Sequence, residues 1–122
     1  MTRTCFIISS IGEKDTETRK YADDKFDLVF EPVLKETGYE EVTRADKIGT
    51  PGSISYDIVN HIINSKLVIA DVSDLNPNVF YELAIRNAVQ KPVIVIKADG
   101  QKMPFDIYDK RAISIDMKSA RQ

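Results

Sequence analysis

The sequence predicts an α/β fold: a flavodoxin-like, doubly wound, mostly parallel sheet of five strands in the order 2-1-3-4-5, with helices on both faces. Two short apolar runs, 4–9 and 67–70, are typical of strands that are buried on both faces. The longer stretches between such runs repeat their apolar residues at helical spacing. Because strands and helices alternate, right-handed crossovers are expected to make the sheet parallel.

Each element has its own signal in the chain. Apolar residues recur at helical spacing over 21–34, and Gly38 then suits the end of a helix. Residues 39–43 can form a strand with one exposed face, which indicates the edge of the sheet. The other predicted elements are a helix over 54–63, the strand 67–70, a helix over 79–88, the strand 92–96, a short turn or helix over 103–108 and a fifth strand over 112–116.

Length and composition favour one globular domain. The chain has 122 residues, which predicts a single domain over 1–116 and a tail, 117–122, that is a candidate start of a linker to a missing domain. Hydrophobic residues make up 43% and charged residues 30%, values that argue against disorder, and the net charge of -2 gives no basis for binding nucleic acid. Cys5 is the only cysteine, which excludes an internal disulfide and a multi-cysteine zinc site. No apolar run has the length of a signal peptide or a membrane span, so we expect a cytoplasmic protein.

The predicted topology places three loops, 9–16, 44–52 and 71–78, around a crevice beyond the carboxyl ends of the strands. Ligands of parallel α/β sheets bind at this edge, where the strand order reverses. The candidate substrate-binding residues in these loops are Ser9, Ser10, Ile11, Gly12, Arg44, Asp46, Asp71, Asn76 and Asn78.

Several of these residues allow a second interpretation. The 9–12 turn could hold a ribose or a phosphate, but no Walker or GxGxxG pattern is present and a plain strand-to-helix turn also fits. Arg19 opposes the helix dipole near a helix start, which suits either a ligand contact or a surface ion pair. Arg44 and Asp46 belong either to a mobile lid or subunit contact, or to a simple solvated pair. His61 has no histidine or cysteine partner, so no metal site is expected.

The run NPNVFYELAIRNA, which enters the third predicted helix, carries the main candidate for chemistry. Asn76 suits the N-cap of this helix, and Pro77 suits its first position. Asn78, Glu82 and Arg86 recur every four residues, so we expect them on one stripe, with Asn78 and Glu82 bordering the crevice and the apolar positions facing the sheet. Alternatively, Glu82 and Arg86 form an i,i+4 ion pair worth about 0.2–0.5 kcal/mol.

These segments resemble the TIR (Toll/interleukin receptor) domains of bacterial immune proteins and the related nucleoside 2-deoxyribosyltransferases. The likeness covers nearly the whole chain and is carried by CFIISSIGE, RADKIGTPGSI, LVIADVSDLNPNVFYELAIRNA and KPVIVI. NPNVFYEL is the most specific of these motifs. In both families a glutamate on this helix is the central catalytic residue, and by its position in the motif Glu82 is the counterpart. Both families break the bond between an anomeric carbon and a base nitrogen.

The resemblance implies an NAD glycohydrolase that cleaves the nicotinamide–ribose N-glycosidic bond as an effector of bacterial anti-phage immunity. NAD is then the substrate and no cofactor is expected. Glu82 is implied as the catalytic carboxylate, the 9–12 turn and Arg19 as nucleotide contacts, and Tyr81 or Phe80 as a residue that stacks on the substrate or shapes the pocket. TIR-type members often act after self-association and are often tethered to a sensor, so a homo-oligomer and a fused or separate sensor domain are the expected partners.

Two alternatives stay open. The first is base exchange of the nucleoside 2-deoxyribosyltransferase type. Those transferases usually carry an aspartate six residues before their glutamate, whereas this chain has Asn76, which cannot titrate, although Asp71 remains nearby. The second is a non-enzymatic signalling module that assembles through its helices and the 44–52 loop, with Glu82 as part of an ion pair.

Overall fold

The computed structural model describes residues 3–12, 14–47, 56–73, 75–98 and 112–115. In this part of the chain the strands are β1 (Thr4–Ser9), β2 (Glu41–Arg44), β3 (Leu67–Asp71), β4 (Val93–Ala98) and β5 (Ala112–Ile115). The helices are α1 (Glu17–Lys25), α2 (Glu31–Glu36), α3 (Tyr56–Asn64) and α4 (Pro77–Ala88). A π-helical segment (Phe26–Phe30) joins α1 to α2, and a 3-10 turn (Ala45–Lys47) follows β2.

The strands form one parallel sheet in the order β2-β1-β3-β4-β5. The α/β class, the parallel sheet and the order of its first four strands, 2-1-3-4, are confirmed, and β2 lies at an edge as predicted. At the centre of the sheet, Ser9 at the end of β1 pairs with Asp71 at the end of β3. The chain turns toward opposite faces of the sheet after these two strands, so this is the position where ligands of such sheets bind.

Alternate side chains of the strands supply two separate cores, one on each face of the sheet. One core packs against α3 and α4 and includes Phe6, Ile8, Val68 and Ala70. The other packs against the helical segment 17–36 and includes Cys5, Ile7, Leu67 and Ile69. The central strands are therefore buried on both faces, as their apolar runs predict.

The π-helical segment follows from the spacing of the buried residues in the first helical stretch. Ala22, Phe26, Phe30 and Leu34 are all buried and recur every fourth residue. In an α-helix a four-residue repeat drifts around the axis by about 40° per step, because one turn has 3.6 residues. The backbone N–H of Glu31 instead donates to the carbonyl of Phe26, the wider π spacing, which keeps these side chains facing the sheet.

Gly38 ends this helical stretch in the way the sequence predicts. Its φ angle is 102°, in the left-handed region that favours glycine. The backbone N–H groups of Gly38 and Tyr39 donate to the carbonyls of Lys35 and Leu34, at 3.2 and 2.9 Å. Tyr39 therefore belongs to the helix end, while the backbone N–H of Glu40 already donates to the carbonyl of Arg3 at 2.9 Å. β2 begins at Glu41, two residues later than predicted. The predicted element over 103–108 and the tail over 117–122 lie outside the described residues.

Candidate active site

Glu82 lies in the middle of α4, on the side of the helix that packs against the sheet. It is only 7% exposed, and Val79 and Leu83 beside it belong to the core. Within the described part of the chain, its carboxylate makes no hydrogen bond or ion pair. Burial without a compensating charge raises the pKa of Glu82 to about 7. This carboxyl group therefore titrates near neutral pH, a property typical of acids and bases in active sites.

The structure corrects the predicted stripe of Asn78, Glu82 and Arg86. Glu82 and Arg86 are buried, whereas Asn78 is exposed. Positions 79, 82, 83 and 86 follow the i, i+3, i+4, i+7 pattern, which places four side chains on one face of a helix. Because Val79 and Leu83 on this face pack into the core, both charged residues are buried with them.

Arg86 binds backbone carbonyls and is not the ion-pair partner of Glu82. Its side chain is fully buried, and Nη1 donates to the carbonyls of Ile62 at 2.9 Å and Ser65 at 2.8 Å. Its Nη2 donates to the carbonyl of Pro92 at 2.9 Å. These carbonyls lie at the end of α3 and just before β4, so the i,i+4 pair with Glu82 is not formed. Burial lowers the pKa of Arg86, and the negative end of the α3 dipole favours its charge.

The start of α4 is held as the sequence predicts. Asn76 is the N-cap, and its Oδ1 accepts a hydrogen bond from the backbone N–H of Asn78 at 2.8 Å, while Pro77 takes the first helical position. Leu75 has a φ angle of 54°, so the chain turns sharply before the helix. Asn78 and Tyr81 are both exposed, which places these two predicted substrate contacts on the outer side of α4.

Asp71, at the end of β3, has protein partners on both of its carboxylate oxygens. Its Oδ2 lies 2.6 Å from Nζ of Lys25 on α1, and both side chains are largely buried, at 5% and 12% exposed. Its Oδ1 accepts from the backbone N–H of Ser73 at 3.0 Å and from the Ser73 hydroxyl at 2.5 Å. Asp71 therefore holds the start of the β3–α4 connection and is poorly placed to bind a substrate directly.

Arg19, Arg44 and Asp46 come together in one ion-pair network, with Asp23 as a fourth member. Arg44 contacts Asp46 and Asp23, each at 2.6 Å, and Arg19 contacts Asp23 at 3.2 Å and Asp46 at 3.4 Å. The interpretation of Arg44–Asp46 as a solvated pair is wrong, because their side chains are only 3% and 7% exposed. Cζ of Arg44 lies 5.5 Å from the centroid of the Phe26 ring, and each charge of the buried pair has a partner of opposite sign.

The charges of this network shift one another's pKa values. The hydrogen bond from Arg44 lowers the pKa of Asp23. Burial acts to raise the pKa of Asp46 and to lower that of Arg44, but the hydrogen bonds and charges between them outweigh burial. The pKa of Asp46 is therefore lowered and that of Arg44 is raised. In the described part of the chain, Nη1 of Arg44 is nevertheless buried without a hydrogen-bond partner.

The turn after β1 brings polar atoms to the carboxyl edge of the sheet. Oγ of Ser9 and Oγ of Ser10 are both buried and have no hydrogen-bond partner within the described ranges, while Ile11 is packed inward. Gly12 has a φ angle of 72°, and a Cβ atom there would lie 2.9 Å from Oγ1 of Thr16, the N-cap of α1. The turn therefore requires glycine on steric grounds, in agreement with a strand-to-helix turn.

The predicted crevice residues thus divide between the two faces of the sheet. Asp71 and the arginine–aspartate network lie on the side of α1, whereas Glu82 lies on the side of α3 and α4. Lys25, Asp23 and Ser73 are functional candidates that the sequence did not indicate. The Arg19–Asp23 spacing of i,i+4 was a readable signal for one of them. Lys25 and Asp71 are separated by 46 positions, so no local pattern could connect them.

Other kinds of site find no support in the described ranges. No group of three or more His, Cys, Asp or Glu side chains there could hold a metal ion. His61 stacks on Phe6 with 5.4 Å between ring centroids, which explains a lone histidine on this helix. None of the helices in the same ranges has the length and apolar character needed to span a bilayer. Burial raises the pKa of Cys5 to about 12, so its thiol stays protonated.

No protein-family model matches the chain, and no curated protein matches it either.

Proposed function

We propose that this protein is an NAD glycohydrolase in which Glu82 is the catalytic carboxylate. The observation that carries the proposal is the isolation of that side chain: it is 7% exposed, without a hydrogen-bond or ion-pair partner within the described residues, and its pKa is raised to about 7. A buried, unpaired carboxylate is unfavourable for folding. Its presence on a helix that begins at the carboxyl edge of a parallel sheet is better explained by chemistry than by packing.

The reaction needs only one such group. In NAD the nicotinamide nitrogen carries a positive charge, so breaking the C1′–N bond leaves the electron pair on nicotinamide, which departs neutral without a proton. The ribose is left as an oxocarbenium-like cation, which ionised Glu82 can stabilise through charge or by holding a ribose hydroxyl. Water then adds to C1′ and releases one proton, giving ADP-ribose and nicotinamide.

The raised pKa fits this role and has a consequence for pH dependence. At pH 7 about half of the Glu82 side chains are ionised in the free protein, since the pKa is about 7. The positive nicotinamide ring of bound NAD favours the ionised form. We therefore expect kcat/KM to rise with pH up to about 8, and kcat to reach its plateau at a lower pH.

The wider context of the proposal comes from the resemblance to TIR domains. The parallel α/β sheet supports a flavodoxin-like domain of this kind. We propose a cytoplasmic effector of bacterial anti-phage immunity that self-associates for activity and works with a fused or separate sensor domain. A neighbouring copy in such an assembly would complete the surroundings of Glu82.

The test follows nicotinamide release from NAD at high protein concentration, with and without a crowding agent. Wild-type protein is expected to release nicotinamide, and Glu82→Gln is expected to lose activity by a factor of about 10² to 10³ or more. Glu36→Gln is a matched control, because Glu36 is an exposed glutamate at the end of α2. Absence of release by the wild type in every condition, or equal release by Glu82→Gln, would overturn the proposal.

One observation favours a second candidate, base exchange between nucleosides. A carboxyl group with a pKa of about 7 can also donate a proton, which a departing purine requires. Against it, Asn76 stands where the transferases usually carry an aspartate, and its side chain is engaged in the cap of α4. Incubation with a deoxynucleoside and a second free base distinguishes the two, because only base exchange yields a new nucleoside.

A further inference from the structure

A small polar pocket lies between α1 and the carboxyl ends of β1 and β3. Its polar lining is provided by Ser10, Thr18, Tyr21, Lys25, Asp71 and Ser73. The pocket has room for about one water-sized group, so it can take a single oxygen atom of a ligand but not a ring. It lies at the strand pair where nucleotides bind to sheets of this topology.

Hydrogen-bonding capacity is left over in this pocket. An ammonium group has three donors, and Nζ of Lys25 uses one on Asp71 at 2.6 Å and one on Ser73 at 3.3 Å. The hydroxyl of Ser10 is buried and has no hydrogen-bond partner among the residues that the structure describes. Unsatisfied buried polar groups are rare in native proteins and call for an explanation, such as a bound ligand atom.

The charge of the pocket restricts what that atom can be. Lys25 and Asp71 neutralise each other, so no net positive charge is left for a phosphate oxygen. A hydroxyl group is neutral, accepts one hydrogen bond and donates another. A ligand hydroxyl can accept a hydrogen bond from Nζ of Lys25 and form a second hydrogen bond with Oγ of Ser10. One bound group then satisfies the remaining hydrogen-bonding capacity of both side chains.

We propose that this pocket binds one sugar hydroxyl of the nucleotide substrate, with Lys25 and Ser10 as its direct partners. This assignment rests on the proposed cleavage of NAD and adds a defined contact to it. Asp71 then has an indirect role: it orients the ammonium group of Lys25, while Ser73 fixes Asp71.

The test measures binding without turnover, using NAD and its monodeoxy analogues with the Glu82→Gln protein in a calorimeter. Adding Ser10→Ala is expected to raise the Kd for NAD by about 3- to 10-fold, the effect of one neutral hydrogen bond. Ser65→Ala is the matched control, since Ser65 is also buried but lies at the opposite edge of the sheet. The Kd of the protein with Ser65→Ala for NAD is expected to stay unchanged.

If the contact exists, the effect of removing the sugar hydroxyl from the ligand depends on whether the Ser10 hydroxyl is present in the protein. One monodeoxy analogue is expected to bind more weakly than NAD to the protein with Ser10, and this difference in Kd is expected to be smaller for the Ser10→Ala protein, in which only the Lys25 contact to that hydroxyl is left. If Ser10→Ala binds NAD like Ser65→Ala, or if no analogue shows this coupling, the pocket assignment is wrong. In that case, nicotinamide release by the wild type would still support the proposed function. If the wild type releases none and the Glu82→Gln protein does not bind NAD, the proposed function fails and the pocket assignment fails with it.

Discussion

Replacing Glu82 by glutamine is expected to stabilise the folded protein at alkaline pH. The folded state favours the neutral carboxyl group, because burial raises its pKa from 4.5 to about 7. The stability associated with this group is fully present below pH 4.5 and is lost as the pH rises through about 7. Glutamine has nearly the same shape and stays neutral at every pH, so its variant avoids this loss.

The magnitude follows from the two pKa values. At pH 8 the loss amounts to about 3 kcal/mol in the free energy of unfolding, and at pH 5 to about 1 kcal/mol. Glu82→Gln is therefore expected to be more stable than the wild type by up to about 3 kcal/mol at pH 8. For a chain of this length that difference raises Tm by on the order of 10 °C.

Urea unfolding at pH 5 and pH 8 measures this effect, with Glu36→Gln as the exposed control that should change little at either pH. The expected result is a gain that grows with pH for Glu82→Gln alone. An equal gain at both pH values, or no gain at pH 8, would refute the argument that burial holds the Glu82 carboxyl near neutrality.

Three further substitutions test other parts of the structure. Arg86→Met leaves backbone carbonyls at the end of α3 without donors and should lower the free energy of unfolding by at least about 3 kcal/mol. Urea unfolding measures this loss, and a loss below about 0.5 kcal/mol would fit a surface ion pair instead. Lys25→Met leaves the buried carboxylate of Asp71 unpaired and should lower the free energy of unfolding by about 3–5 kcal/mol. Adding Asp71→Asn to the same chain should restore part of this loss. Strictly additive losses in a double-mutant cycle would contradict an interaction between the two side chains. Gly12→Ala should lower the free energy of unfolding by about 1–3 kcal/mol, because Gly12 has a φ angle of 72° and the new Cβ would lie 2.9 Å from Cβ of Thr18. Thermal unfolding measures this change, and an unchanged Tm would show that the turn adapts.

Much of the fold could be predicted because the signals are local. The central strands are apolar runs, and Asn76 with Pro77 marks a helix start through cap geometry that depends on a few adjacent residues. Gly38 marks a helix end for a similar reason, since only glycine adopts its backbone conformation without strain.

The candidate site was less predictable because its contacts join distant parts of the chain. Lys25 meets Asp71 across 46 positions, and Arg44 meets Asp23 across 21. The burial of Arg86 is hard to predict for another reason: its charge favours an exposed position, whereas its helical spacing from Val79 and Leu83 places it among buried positions. Its guanidinium is accommodated by backbone carbonyls, which carry no sequence signal.

The most direct test of the central claim is the pH dependence of nicotinamide release by the wild type and by Glu82→Gln. We expect kcat/KM of the wild type to rise between pH 5.5 and pH 8 with a midpoint near 7, the pKa of the buried carboxyl. Glu82→Gln is expected to release nicotinamide at least about 10²-fold more slowly at pH 8 and to show no inflection near pH 7. Release by Glu82→Gln at the wild-type rate, or a wild-type profile without an inflection near pH 7, would contradict it.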